Sequence, residues 1–265
     1  MHSRRLILLA NMLFALAACA TPAAPPPQGV NPVPVAAAAS PTEAAFAPNH
    51  GGAYLATASL NLYRLLPPPP EAGSARERAE LDELLKLQAT RTPAEVQRAR
   101  DDANVSVFRF ADALGNPPNF TPQALPLLTQ LFQRVGQDEG QFMNPAKDAY
   151  GRPRPFLTDK RLAPVVAKPP SASYPSGHTT WAVASAIILA DMVPERRAQL
   201  FARADEYSHN REVGGVHYPS DVAGGHLAGT VLAAKLFDTP RFLADEAAAR
   251  AELRAALGLP ALPRP

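Results

Sequence analysis

Three short stretches of this chain carry residue types that act together on phosphate. They are Lys147-x6-Arg154-Pro155, Pro175-Ser176-Gly177-His178 and Arg211-x5-His217-x3-Asp221. A phosphoryl group in transfer carries negative charge on its oxygens, which Arg, Lys and backbone N–H groups stabilise. With one histidine as nucleophile and another group as acid, this set predicts phosphoryl transfer through a histidine without a metal ion.

The second stretch lies just before an apolar run that starts at Thr179 and has the character of a helix. Ser176 is expected to cap that helix, and Gly177 lets a ligand approach the backbone closely. The N–H groups and dipole of a helix N-terminus favour an anion, which would lie beside His178. The alternative is an ordinary serine cap next to a surface histidine.

The third stretch pairs a histidine with a carboxylate. His217 and Asp221 are four residues apart, which places them on one side of the first turn of a helix, with Pro219 at an allowed early position. A bond from Nδ1–H to Asp221 would leave Nε2 of His217 free as the nucleophile. The alternative is a capping histidine with a coincidental aspartate. A turn at Gly214-Gly215 would let Arg211 reach the same place.

The first stretch contributes two cations. Lys147 and Arg154 would bind the remaining phosphate oxygens, the arginine as a two-pronged donor. Ordinary surface solvation is the alternative for each of them. Arg152 fits no required spacing and is left out of the predicted site.

A metal site is the competing interpretation of the histidines, chiefly His178, His209, His217 and His226. The sequence contains no His-Glu-x-x-His motif, no paired aspartate cluster and no set of cysteines. A positively charged pocket would also repel a divalent ion. We therefore expect no metal and no cofactor.

The elements that must position these residues are helical almost throughout after Tyr54, so we predict an all-α, compact single-domain helical bundle. The predicted helices run over 74–88, 92 to about 113, 122–137, a further segment leading into 147, 176–192, 194 to about 213 and 219–237. The predicted domain covers 49–245, and a C-terminal helix with a frayed tail covers 246–265.

The N-terminal part has the composition of an exported protein. Residues 1–18 combine a basic start with a short apolar run, which predicts a signal peptide. Leu16-Ala17-Ala18-Cys19 resembles a bacterial lipobox, so Cys19 is the expected lipidation site, unless it is an ordinary residue at a small-x-small cleavage site. The Pro/Ala-rich segment 19–48 predicts a disordered tether. Together these features predict a periplasmic lipoprotein anchored to the outer membrane.

Charge and hydropathy restrict the partners. The net charge of +2 includes two arginines of the leader, and no basic block suggests nucleic-acid binding. The longest apolar run after the leader, Trp181 to Ala190, is too short to span a membrane. A membrane-spanning lipid phosphatase is therefore the less expected class.

In order and spacing, the three stretches resemble the signature K-x6-R-P, P-S-G-H and S-R-x5-H-x3-D of the type 2 phosphatidic acid phosphatase and vanadium haloperoxidase superfamily. Leu66-Pro67-Pro68-Pro69-Pro70 and Ser173-Tyr174 resemble the bacterial class A non-specific acid phosphatases within it. The resemblance covers roughly Tyr54 to Phe237. One position departs from the signature, since Asn210 stands where the family has serine. Its amide can still donate a hydrogen bond, so the phosphate pocket is expected to survive.

This resemblance implies a helical enzyme that hydrolyses phosphate monoesters with broad specificity through a phosphohistidine and is inhibited by vanadate. Many class A relatives associate, and a homo-oligomer stays open for this chain. It implies the nucleophile His217, the orienting Asp221, the acid His178 and the phosphate-binding residues Lys147, Arg154, Ser176, Gly177 and Arg211. Two other functions remain open, a vanadate-dependent haloperoxidase and a non-catalytic phosphate-binding envelope lipoprotein.

Overall fold

The computed structural model describes residues 52–262. The predicted signal peptide, Cys19 and the tether 19–48 lie outside the described residues. Every regular element between residues 52 and 262 is helical, which confirms the all-α prediction. Within that range no helix is both long enough and apolar enough to cross a bilayer.

Nine α-helices follow one another in the described part of the chain. They are α1 (Leu62–Leu65), α2 (Ala75–Thr90), α3 (Pro93–Asp101), α4 (Pro126–Tyr150), α5 (Pro155–Thr158), α6 (Gly177–Met192), α7 (Arg197–Val213), α8 (Pro219–Phe237) and α9 (Pro240–Ala256). Short 3-10 turns lie at Thr57–Ser59, Val107–Phe110 and Pro194–Arg196.

Helix α6 is the centre of the fold. It is apolar around most of its circumference, as a helix must be when neighbours cover all its sides, and its main neighbours are α7 and α8. Two glycines of α8 allow a close approach to α6. A Cβ at Gly225 would lie 2.7 Å from the Ser176 carbonyl oxygen, and one at Gly229 would lie 2.6 Å from that of Thr180. This close packing brings the start of α6 beside the start of α8.

Helix α4 is one continuous helix, where the sequence predicted two. The prediction ended the first helix at Gln137, but the chain continues through Gly140 to Tyr150. An apolar stripe from Leu128 to Ala146 is buried along the whole length. The burial of this stripe outweighs the low helix propensity of the internal glycines.

Helix α3 is shorter than predicted. The Thr92–Glu95 capping box is present, but the helix ends at Asp101 rather than near residue 113. Asp102 turns its side chain into the interior, where it pairs with Arg203. Asp and Asn side chains compete with helix hydrogen bonds, and the segment that follows forms a loop instead.

Helix α9 begins at Pro240, so the predicted boundary at residue 245 falls inside a helix. Phe242, Ala249 and Leu253 are buried in the same core as α4 and α6. The tail predicted as frayed is held as far as Pro260, whose carbonyl oxygen accepts from Arg254 Nε across 2.6 Å. The C-terminal helix therefore belongs to the main bundle.

Candidate active site

The three sequence stretches meet at one cavity of about 440 Å³. The end of α4 supplies Lys147, the following extended segment supplies Arg154, and the end of α7 supplies Arg211. The start of α6 and the approach to α8 complete the wall with Gly177, His178 and His217. Ser176 and Asp221 are buried behind this wall.

His217 has both ring nitrogens engaged in a way that fixes its tautomer. Nδ1 lies 3.2 Å from Oδ2 of Asp221, and Nε2 lies 2.9 Å from Nη1 of Arg154. A guanidinium group only donates, so Nε2 must be the unprotonated nitrogen and Nδ1 the donor. Burial lowers the pKa of His217 well below its ordinary value, and the charges of Arg154 and Lys147 lower it further. The ring is therefore a neutral imidazole with its lone pair in the pocket.

Asp221 is fully buried and is held by more than the histidine. Its Oδ2 accepts from the Ser173 hydroxyl and, across 2.9 Å, from the backbone N–H of Tyr218. Its Oδ1 accepts from Nη1 of Arg152 across 2.7 Å. Arg152 also donates to Glu80 Oε2 across 3.0 Å.

Arg152 was left out of the predicted site. Its side chain does not line the cavity, but it fixes the carboxylate that orients His217. Arg152 and Asp221 are 69 residues apart, so no spacing rule could have placed Arg152 beside this carboxylate.

Arg211 is the cation with the most unused donor capacity. It is buried at the end of α7, and its Nε and Nη1 have no hydrogen-bond partner among residues 52–262. Burial lowers its pKa to about 10, so it remains charged at neutral pH. Buried donors of this kind are normally satisfied, and an anion in the cavity would satisfy them.

Lys147 and Arg154 hold the loop that leads into α6. Lys147 Nζ donates to the carbonyl oxygens of Ala172 and Pro175 across 2.9 and 2.7 Å. Arg154 Nε donates to the Ser171 carbonyl oxygen across 2.9 Å. Burial is the main cause that lowers the pKa of Lys147 to about 7, and repulsion from the charge of Arg154 is the second. Its charge is therefore complete only on the acid side of neutrality.

The start of α6 has the predicted cap. The Ser176 hydroxyl accepts from the backbone N–H of Thr179 across 3.3 Å. The Ser176 backbone N–H donates to the Asp221 carbonyl oxygen across 3.0 Å, which ties the two helix starts together. The N-terminus of α6 thus opens on the cavity at Gly177.

His178 lies at the mouth of the cavity, and its Nε2 is 3.1 Å from the carbonyl oxygen of Ala103. Burial and the nearby Arg211 charge lower its pKa well below the ordinary value. An acid role therefore needs a bound anion, whose negative charge would raise that pKa again.

Two further polar residues differ from what the sequence predicted: Glu139 lines the cavity without having been predicted there, and Asn210 does not reach it. Glu139 is completely buried in the cavity wall with both carboxylate oxygens unpaired among residues 52–262, and burial raises its pKa to about 8. Asn210 does not line the cavity, since its amide donates to Oδ2 of Asp102 across 2.8 Å. The expected donation of Asn210 to phosphate is therefore not what the structure has.

No group of three or more His, Cys, Asp or Glu side chains suited to a metal lies in the described range. His209 contacts Glu212 on the surface, with Nδ1 and Oε2 3.1 Å apart. His226 is also away from the cavity, 4.0 Å from Asp205.

Comparison with known proteins gives the family. The model of the PAP2 superfamily matches residues 128–242. The non-specific acid phosphatase of Salmonella typhimurium is 31% identical over 205 residues, which cover 74% of this chain and 81% of that protein. An acid phosphatase of Zymomonas mobilis is 31% identical over 199 residues, covering 72% of this chain and 75% of that one. The chain belongs to the PAP2 superfamily.

Among solved structures, a bacterial vanadium-dependent iodoperoxidase aligns with a TM-score of 0.52 at 20% identity. The alignment covers 65% of this chain and 52% of that one. At this level of identity the likeness shows a shared helical fold.

Proposed function

We propose that this protein is an acid phosphatase that hydrolyses phosphate monoesters through a phosphohistidine on His217. The observation that carries the proposal is the His217 imidazole, whose Nδ1–H is held by Asp221 and whose Nε2 faces a cavity lined with cations. The relatives named acid phosphatases, similar over most of the chain, support the same reaction class.

In the first step the substrate phosphate binds to Lys147, Arg154, Arg211 and the N-terminus of α6. Arg154 Nη1 passes from His217 Nε2 to a phosphate oxygen, which frees the lone pair. Nε2 then attacks phosphorus, and the bond between phosphorus and the ester oxygen breaks, with its electron pair leaving on the alcohol. Asp221 stabilises the positive charge that develops on the ring.

His178 completes the first step as the acid. In its protonated form it gives a proton to the departing alkoxide, and it becomes neutral. In the second step the neutral ring accepts a proton from water as the water oxygen attacks the phosphohistidine. The bond between Nε2 and phosphorus breaks, inorganic phosphate leaves, and His217 returns to its starting form.

The charge states of the site favour acid conditions. The lowered pKa of His217 keeps the nucleophile unprotonated in mild acid. The pKa of Lys147 at about 7 keeps that cation charged only below neutrality. Bound phosphate adds negative charge that raises the pKa of His178 and so supplies the acid. These three conditions overlap on the acid side of pH 7.

We propose a broad choice of leaving alcohol. The cations of the site are expected to converge on the phosphate, and the cavity lining also includes apolar residues such as Met143, Pro169 and Pro170. Weak, apolar contacts discriminate poorly between alcohols. Nucleotides, sugar phosphates and aryl phosphates are therefore all expected substrates.

The test is a hydrolysis assay on several monoesters, with EDTA and with orthovanadate added separately. We expect turnover that resists EDTA and is inhibited by micromolar vanadate, a tetrahedral anion that fits the same cations. Phosphate binding without turnover would favour a non-catalytic lipoprotein. Oxidation of bromide or iodide by the vanadate-loaded protein with peroxide would favour a haloperoxidase.

We further propose that the protein is exported and anchored to the outer membrane through a lipid on Cys19. The basic and apolar leader, the lipobox-like residues before Cys19 and the Pro/Ala-rich segment after it support this proposal. Replacing Cys19 with Ser should move the protein from the outer-membrane fraction to the soluble periplasmic fraction of a bacterial host. Light scattering on the same protein tests whether it forms a homo-oligomer.

A further inference from the structure

One wall of the cavity is a short loop, which we name the acid loop, formed by Asp102, Ala103 and Asn104 after α3. Ala103 and Asn104 line the cavity, and the Ala103 carbonyl oxygen lies 3.1 Å from Nε2 of His178. A carbonyl oxygen only accepts hydrogen bonds, so Nε2 of His178 carries a proton. The acid loop therefore fixes the tautomer and the place of this ring.

Three side chains of α7 also hold the acid loop. Arg203 Nη2 donates to Oδ1 of Asp102, and Asn210 Nδ2 donates to Oδ2 across 2.8 Å. The Tyr207 hydroxyl donates to the Asn104 carbonyl oxygen across 3.2 Å. Asp102 is fully buried, so these donors satisfy a carboxyl group that water does not reach.

Asn210 is the one member of this group at a motif position, directly before Arg211, and it is the position where the chain departs from the motif serine. Its amide reaches one bond further from the backbone than a serine hydroxyl does. That reach is used on the acid loop, where the amide donates to Oδ2 of Asp102.

We propose that Asn210 is a positioning residue for the acid of the reaction, acting through Asp102 and the Ala103 carbonyl on His178. This inference rests on the proposed phosphatase function. In the first step the His178 imidazolium keeps its Nε2–H on the Ala103 carbonyl and gives its Nδ1 proton to the ester oxygen. Loss of the Asn210 amide loosens the loop, so the ring is displaced from the leaving group.

The experiment compares esters with good and poor leaving groups. An ester such as p-nitrophenyl phosphate departs with little help from an acid, whereas β-glycerophosphate needs a proton on its alcohol oxygen. Asn210→Leu removes the amide at similar volume, and Tyr207→Phe removes the second tether of the loop. The matched control is Ser208→Ala on the same helix, because the buried Ser208 hydroxyl donates within its own helix to the Ala204 carbonyl oxygen.

We expect Asn210→Leu to lower kcat/KM for β-glycerophosphate at least about tenfold more than for p-nitrophenyl phosphate. Tyr207→Phe should shift the ratio in the same direction by a smaller factor, and Ser208→Ala should keep the parent ratio. Inhibition by inorganic phosphate should change less than about threefold in Asn210→Leu. Circular dichroism verifies the fold, and Tyr207→Phe decides the question if Asn210→Leu does not fold.

Two results would overturn the inference. Equal losses on both esters would mean that Asn210 acts through the neighbouring Arg211 on phosphate binding, and unchanged rates would mean that it positions nothing. A long-range 1H–15N spectrum of the histidine rings gives a readout without turnover, with the His178 signal assigned from His178→Gln. We expect the Nε2–H form in the parent and its loss in Asn210→Leu. If the parent hydrolyses no ester while this spectral change is seen, the proposed function fails and the positioning stands.

Discussion

The guanidinium of Arg152 and the carboxylate of Asp221 are joined by a 2.7 Å bond from Nη1 to Oδ1, while Oδ2 of that carboxylate faces Nδ1 of His217. The same guanidinium stacks on the Tyr218 ring, with 3.7 Å between its central carbon and the ring centroid. The guanidinium also forms a salt bridge with Glu80, which is buried as well. Asp221 is thus fixed between a permanent cation and the proposed nucleophile.

This arrangement predicts that Arg152→Gln slows hydrolysis although Arg152 does not touch the substrate. The bond to Asp221 joins two charged groups, and such bonds contribute about 1.5–3 kcal/mol. If that orientation is lost in the transition state, kcat/KM should fall about ten- to a hundredfold, at a tenfold loss per ~1.4 kcal/mol. Steady-state kinetics on p-nitrophenyl phosphate measures the loss.

The matched control for Arg152 is Arg161→Gln, since Arg161 is exposed and pairs with Asp159 on the surface. Its rate should stay within about twofold of the parent. Parent-like kinetics in Arg152→Gln would show that Asp221 keeps its orientation through Ser173 and the backbone alone.

Arg211→Gln should weaken phosphate binding. Arg211 lines the cavity, and its Nε and Nη1 have no hydrogen-bond partner among residues 52–262, so its guanidinium has donors left for an anion. We expect the inhibition constant of inorganic phosphate to rise about ten- to a hundredfold. Arg197→Gln, at the exposed far end of the same helix, is the control and should leave that constant unchanged. An unchanged constant in Arg211→Gln would remove this arginine from the phosphate site.

The pH profile should fall on the alkaline side. The pKa of Lys147 is lowered to about 7, so this cation loses its charge as the pH rises through neutrality. For p-nitrophenyl phosphate, whose leaving group needs little help from the acid His178, kcat/KM should therefore decrease above about pH 7 and be highest in mild acid. Lys147→Arg keeps a charge at higher pH and should move the alkaline limb upward by at least one pH unit. A kcat/KM of the parent that keeps rising to pH 9 would contradict the assignment of Lys147 as a phosphate-binding cation that loses its charge near neutrality.

Glu139 should make stability depend on pH. Burial raises its pKa to about 8 from an ordinary value of about 4.5, so its stabilising contribution is complete in acid and is lost as the pH rises through about 8. Glu139→Gln cannot ionise. The unfolding midpoint of Glu139→Gln minus that of the parent should therefore be about 5 °C larger at pH 9 than at pH 5.

Thermal unfolding at the two pH values measures this difference, and the exposed Glu83→Gln is the control, whose midpoint should follow the parent at both. Equal shifts in Glu139→Gln at pH 5 and pH 9 would show that folding does not raise the pKa of this carboxyl.

Local spacing predicted those contacts of the site that join residues within one helical turn of each other. The Ser176 cap and the bond between His217 and Asp221 each join residues three or four apart, so their contact follows from helix geometry. The bounds of α8, Pro219–Phe237, were also predicted from local features, namely a proline at an allowed start and a sustained apolar pattern.

Longer-range relationships could not be predicted in this way. Arg152 and Asp221 are 69 residues apart, and Asn210 and Asp102 are 108 apart, so no spacing rule connects them. Their contacts depend on how α3, α7 and α8 pack. Packing also explains the continuous α4, which lies against α6 and α9, with Gly136 next to Trp181 of α6.

The most direct test of the central claim is to locate the phosphoryl group during turnover. The protein is mixed with p-nitrophenyl phosphate, quenched in alkali, where phosphohistidine survives, digested and mapped by mass spectrometry. The mechanism predicts a phosphoryl adduct on His217 that disappears together with turnover in His217→Ala. An adduct on another residue, or full turnover in His217→Ala, would contradict it.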